Sequence, residues 1–407
     1  MTKIRDSING LKEEIAEFTS SLIRIPTVNP PGKNYEKCTR IIGEKLTELG
    51  IDWNEIRVPE KRLTELALKG EGLPRPSIVG SFGKGEKELH FHGHYDVVPA
   101  IDDKQFQPHI SKGRLYGRGA ADMKGGLAVI LFALQALKEC DVSLNGTVSF
   151  SITPDEETGG LAGLKYLLDE GYISRNLIGV MDPEPSSGDI INGSRGALSF
   201  DVIVKGRASH VMTDSLGVNA FENMVEVADA FLELKKQVEQ RKTRHPVTPP
   251  GSDHSILLVG GVCGGGTNFN IVPDTVYFTV DRRFNLEENP TEVQREIHEV
   301  IAALQEKGLE IETRIFQQGN ASFTSQEEPI CTTLMKVVEQ VTGHRPDVSI
   351  CPGLLETRFF VELGIPAVIY GPGLLEEAHG PNESVQVDNV IDCTRIYAST
   401  ALKLLGQ

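Results

Sequence analysis

Residues 89–99 read LHFHGHYDVVP. Apolar residues and histidines alternate up to His94, as in a strand whose successive side chains point to opposite faces. By that period His90, His92 and His94 share one face, and His94 and Asp96 are neighbours at the strand's end. A metal-binding histidine gives its second ring N–H to a carboxylate, which fixes the tautomer. His94 as ligand and Asp96 as its orienter fit that role. A His-rich strand packed in a core fits the same letters.

On either side of this strand, helices and strands alternate. The pattern predicts helices near 7–24, 35–49, 121–139 and 160–170, and strands near 51–58, 77–82, 89–95, 147–153 and 177–182, with a polar loop at 59–75. Strands separated by helical stretches argue for an α/β, doubly wound and largely parallel sheet. The pattern changes near Arg195. Strands near 197–206, 255–262, 272–283 and 309–316 and helices near 218–236 and 291–306 follow in the order βαββαβ, a ferredoxin-like arrangement. The expected division is a catalytic domain from 1–195 and 318–407, with 196–317 inserted as a lid. The returning chain carries a helix near 328–341 and strand-like pieces near 347–351 and 366–370.

With 407 residues the chain has room for two cores. Its formal net charge of −16 is repelled by phosphate backbones and anionic lipid, so nucleic acid and membrane are excluded as expected partners. No apolar run is read as long enough to span a membrane, and the N-terminal stretch reads as an amphipathic helix. Six scattered cysteines without a CxxC pair read as reduced thiols of a cytoplasmic protein.

Four further stretches carry chemistry. GRLYGRGAADMKGG (113–126) sets Asp122 among glycines that let backbone approach a ligand; Asp122 as a helix cap is the other reading. SITPDEETGG (151–160) places three acids in a row after an apolar strand. They repel one another unless a cation lies between them, or they form an exposed acidic turn. LIGVMDPEPSSGDI (177–190) offers Glu184 at a strand's end, with Asp182 two residues earlier as an alternative ligand. YGPGLLEEAHGPNES (370–384) offers His379 after the Gly371-Pro372-Gly373 turn. Taken together, two imidazoles and three carboxylates at ends of successive strands suit two zinc-like ions, and the set contains no thiolate.

These segments, in this order, resemble the dinuclear zinc metallopeptidases and deacylases of the acetylornithine deacetylase, succinyl-diaminopimelate desuccinylase, aminoacylase and glutamate carboxypeptidase family. The resemblance runs over nearly the whole chain and includes GRASH (206–210), GVNA (217–220) and NFNIVPD (268–274) of the insert. It implies metal ligands His94, Asp122 (bridging), Glu157, Glu184 and His379, with Glu156 as general base and Asp96 behind His94. It implies that His210 and Asn270 reach the substrate, and that Arg283 and Arg358, with the Gly371–Gly373 turn, hold a substrate carboxylate. Two divalent ions per subunit follow, zinc first, with cobalt or manganese as alternatives. So does a homodimer through the lid, in which His210 serves the partner's site. The implied reaction is hydrolysis of the amide of a small N-acyl amino acid, with a dipeptidase or carboxypeptidase of the same family as the alternative. One stretch departs from the family pattern: Gly-Thr-Asp-Ala-Arg is replaced by a run ending Leu354-Leu355-Glu356-Thr357-Arg358. A non-catalytic metal-binding protein is the reading from a different class.

Overall fold

The computed structural model describes residues 2–67, 70–142 and 144–406, so residues 68 and 69 of the expected loop at 59–75 lie outside the described residues. The chain forms two units. The first is Met1–Gly193 with Thr324–Ser349 and Glu356–Gln407; the second is Ser194–Phe323 with Ile350–Leu355.

The first unit is built on a mixed sheet. Its central strands Gly146–Thr153, Lys87–His94, Gly179–Asp182 and Ala367–Ile369 are neighbours in that order and run parallel. Pro76–Gly83 and then Asp52–Arg57 add to one side antiparallel, and Ile190–Ser194 pairs antiparallel with Ala367–Ile369. Helices cover both faces, as a sheet with two apolar faces requires. On one face Phe91 packs edge-on against Tyr397 of the helix Val387–Leu405. On the other, His90 and His92 lie against Phe360. Gly93 lets the helix Gly125–Glu139 approach closely, since a Cβ there would meet Met123 Cε at 2.9 Å and Leu127 Cδ2 at 3.0 Å.

The second unit is a four-stranded antiparallel sheet in the order Ile256–Gly265, Thr275–Phe284, Gly196–Lys205, Glu310–Gly319, with helices Ala220–Val238 and Pro290–Glu306. In chain order this is βαββαβ, the ferredoxin-like arrangement. Phe200, Val202, Phe231, Phe278 and Val280 form its apolar core with the buried face of both helices.

Local differences from the sequence expectations have physical causes. The expected loop at 59–75 contains a helix, Glu60–Leu66, seated by the one buried side chain Leu63. The first helix is two, Thr2–Gly10 and Lys12–Ile23. The segment Ala120–Glu139 is apolar and long enough to cross a membrane by composition, contrary to the expectation of no such run, but 94% of its apolar window is buried inside the protein. The C-terminal helix Val387–Leu405 was not expected, because its Val, Ile and Thr residues weaken the helical signal.

Candidate metal centre

The parallel strands end on the same side, where open α/β sheets expose their loops to ligands. His94 is the last residue of its strand and is 1% exposed. Its Nδ1 lies 3.1 Å from the Asp96 carbonyl oxygen and 3.3 Å from Asp96 Oδ1. Its Nε2 lies 3.2 Å from Asp122 Oδ1 and 3.8 Å from Glu184 Oε1. The other oxygen of Asp122, Oδ2, is 3.3 Å from His379 Nε2, which is 3.1 Å from Glu157 Oε2. One carboxylate thus lies between two imidazoles. His94, Glu156 and Glu184 form one group whose ligand atoms lie within 4.8 Å of one another, and Asp122, Glu157 and His379 form a second. Each group could hold a metal ion. Asp182 stands behind this set: it is buried, and its Oδ1 accepts from the Glu184 amide at 3.3 Å.

The backbone supporting these side chains is itself held by buried acids. Asp96 accepts from the amides of Glu156 and Glu157, both at 3.2 Å, through its two oxygens. Glu383 accepts from the amides of Ala121 and Asp122 at 3.1 Å and pairs with buried Arg118 at 2.5 Å. Asp122 is not a helix cap, since the helix Gly125–Glu139 begins after Lys124 with no side-chain cap. Nor is the acidic run a simple exposed turn: Asp155 is 1% exposed and the Glu157 side chain 5%. The Gly371–Gly373 turn packs on the ligand-bearing loops; a Cβ at Gly371 would lie 2.2 Å from the Glu184 carbonyl oxygen and one at Gly373 2.9 Å from that of Ala121.

Burial and mutual repulsion decide the protonation of these groups. Burial pushes Glu156 and Glu184 well above the usual carboxylate range, and Glu157 to about 7. Burial also opposes ionisation of Asp122, but its bonds to His379 and His94 prevail and hold it low. Hydrogen bonds to Asp122 and Glu157 raise His379 to about 11. His94 is pushed down by burial and raised further by Asp122 and Asp96, so the net shift is upward. Three crowded carboxylates with raised affinity for protons have a raised affinity for any cation that fits. The donors are imidazole nitrogen and carboxylate oxygen, which suits a zinc-like ion.

Arg358 is 2% exposed and donates from Nη2 to the Gly159 carbonyl at 2.8 Å. In the second unit His210 is exposed and its Nδ1 accepts from the Met212 amide at 3.2 Å; Asn270 is half-buried. Arg283 donates from Nε to both oxygens of Asp281 at 3.1 Å. Several supporting residues escaped the sequence reading. Glu383 sits in the quoted stretch 370–384 but has no spacing signal. His92 Nε2 lies 2.9 Å from Glu356 Oε2, a partner 264 residues away.

A sequence model of peptidase family M20/M25/M40 matches residues 90–403. Solved structures share the fold. The di-peptidase Dug1p from Saccharomyces cerevisiae is 17% identical with a TM-score of 0.80, covering 98% of this chain and 97% of that one. The M20 family metallo-carboxypeptidase Sso-CP2 from Sulfolobus solfataricus is 19% identical with a TM-score of 0.76, covering 95% and 98%. The Bacillus subtilis YxeP protein, described as a dinuclear metal binding peptidase of the M20 family, is 15% identical with a TM-score of 0.67, covering 98% and 99%.

Proposed function

We propose, from the premise that the chain belongs to peptidase family M20/M25/M40, that it hydrolyses the amide bond of a small N-acyl amino acid. The observation that carries this reading is the Asp122 carboxylate, 3.2 Å from one imidazole and 3.3 Å from another, with Glu156, Glu157 and Glu184 around it. His94 and Glu184 would hold one divalent ion, Glu157 and His379 a second, with Asp122 shared; zinc fits this donor set, with cobalt or manganese as alternatives. When bound, such ions polarise a carbonyl and lower the pKa of water from about 16 to roughly 7.

The chain's own residues do the rest. Glu156 takes the proton of the attacking water and returns it to the leaving nitrogen, a task suited to a carboxyl whose burial raises its proton affinity. Asp96 orients His94 and keeps both glutamates in place through their amides. His210 stabilises the oxyanion, and Asn270, Arg283, Arg358 and the Gly371–Gly373 turn bind the substrate, as the family resemblance implies. A homodimer through the inserted unit is supported by its exposed apolar side chains, Phe221, Val225 and Leu232 on one helix and Leu258 and Val262 on an edge strand.

Dipeptides are the second substrate class, favoured by the fold shared with the yeast di-peptidase. A panel of N-formyl, N-acetyl and N-succinyl amino acids beside simple dipeptides, assayed with zinc-loaded protein, separates the two. Deacylase action is expected as the higher kcat/KM. Efficient cleavage of dipeptides alone would reassign the substrate, and cleavage of neither class would remove the hydrolase reading.

A further inference from the structure

Behind the acidic turn lies a buried charge network that the proposed reaction does not use. Asp155 is 1% exposed and has a φ of 68°, a left-handed conformation uncommon for a residue with a side chain. Its Oδ2 accepts from Arg75 Nε at 2.6 Å, and its Oδ1 from the Tyr35 hydroxyl at 2.9 Å and Asn29 Nδ2 at 3.1 Å. Arg75, also 1% exposed, donates its remaining nitrogens to the carbonyls of Leu73 at 2.8 Å and Pro31 at 2.7 Å. Two glycines leave room for it: a Cβ at Gly32 would lie 2.7 Å from its Cζ, and one at Gly70 2.4 Å from its Nη2.

The network leads to the reacting groups. Asn29 Nδ2 also donates to Asp96 Oδ2 at 2.9 Å and Thr158 Oγ1 at 3.0 Å. Asp96 in turn carries the amides of Glu156 and Glu157. Two buried carboxylates, Asp96 and Asp155, therefore share one amide nitrogen, and the guanidinium supplies positive charge on the far side of the pair. Asp155 is bonded to Glu156 in the chain, so its position sets where the next two side chains point.

We propose that Arg75 is a positioning residue for the hydrolysis: its ion pair with Asp155 holds the left-handed turn that aims Glu156 and Glu157 at the metal centre. This rests on the assignment of Glu156 as base and Glu157 as ligand. A guanidinium meets three acceptors in fixed directions, which an ammonium reproduces only in part and a thioether not at all.

The test compares Arg75→Met, Arg75→Lys, Glu156→Gln and the double variant Arg75→Met/Glu156→Gln. Zinc affinity is read by titration of the metal-free proteins, and kcat and KM at saturating zinc. Arg75→Met should weaken zinc binding roughly tenfold or more through Glu157, and unchanged affinity would overturn the aiming of that ligand. Arg75→Met should lower kcat by roughly thirty- to a hundredfold, the loss expected from a displacement of about 1 Å at a reacting group, while KM changes less than about threefold. Arg75→Lys should recover part of that loss. In the Glu156→Gln background the same Arg75→Met change should cost less than about threefold, because the base it positions is already gone. Equal fold-losses in both backgrounds, or wild-type kcat in Arg75→Met, would overturn the proposal. If Arg75→Met does not fold, Tyr35→Phe removes a single donor to Asp155; a kcat loss of roughly three- to tenfold confined to the Glu156 background supports the proposal, and equal losses overturn it. Near-normal turnover of Glu156→Gln alone sinks the base assignment and the proposal with it, whereas equal losses beside an inactive Glu156→Gln sink only the role of Arg75.

Discussion

Buried charge is treated in opposite ways in the inserted unit and at the candidate metal centre of the first unit. In the inserted unit, Glu288 meets buried Arg282 and also Arg241, which is bonded to Glu296 as well. Burial alone would raise Glu288, but its bonds to Ser255 and Arg282 bring it below the usual carboxylate range. In the first unit Glu156, Glu157 and Glu184 converge with too few cations, and all three are raised. Removing one partner of a matched pair of the first kind leaves a buried charge uncompensated, whereas a cluster of the second kind, in which acids outnumber the imidazoles His94 and His379, is the arrangement that functional sites use. The candidate metal centre is therefore a place where the first unit is poorly balanced on its own.

The largest effect should come from the acid that the centre uses rather than merely tolerates. Glu156→Gln is expected to lower kcat by about a hundred- to ten-thousandfold with metal retained, while Glu157→Ala loses metal as well. Near-normal kcat in Glu156→Gln would contradict the division of roles. Next comes the exposed residue of the inserted unit: His210→Ala should lower kcat by roughly a hundred- to a thousandfold without changing Tm, if it is an oxyanion donor. An unchanged kcat would confine the chemistry to the first unit.

Stability measurements sharpen the same contrast. Glu288→Ala leaves the buried Arg282 charge without its partner and should cost about 3–5 kcal/mol in denaturant unfolding. A cost near zero would mean that this pair does not hold the inserted unit. In the first unit the pH dependence carries the sign. Asp182 is raised by burial to about 6 and Glu157 to about 7, so the folded metal-free protein binds more protons than the unfolded chain between pH 4 and those values. Its stability should fall as pH rises through this window, and a metal-loaded sample should lose the part that belongs to Glu157, because an ion replaces its proton. Stability that rises with pH in the metal-free protein would reverse the account of these acids.

What the sequence revealed is what short spacing encodes. Alternation placed His94 and Asp96 at one strand end, and the acidic run 155–157 marked a turn where charge must be balanced. The βαββαβ order of the insert was readable from strand and helix periods alone. The supporting contacts were not, because they join distant segments: Asn29 to Asp96 and Asp155, Glu383 to the amide of Asp122, Glu356 to His92. Nothing near Arg75 in the sequence signals a buried guanidinium, since its one acidic partner, Asp155, is distant in sequence and its other two acceptors, the carbonyls of Leu73 and Pro31, carry no residue identity. The helix Val387–Leu405 was missed for a different reason, its β-branched residues.

The central claim is that the six side chains His94, Asp122, Glu156, Glu157, Glu184 and His379 form a two-ion hydrolytic centre. The direct measurement is turnover of the best panel substrate by protein stripped with chelator, checked by elemental analysis, then titrated with zinc. The account predicts no measurable turnover in the metal-free protein and recovery that saturates as two ions bind per chain. Full turnover by protein shown to contain no metal would contradict it.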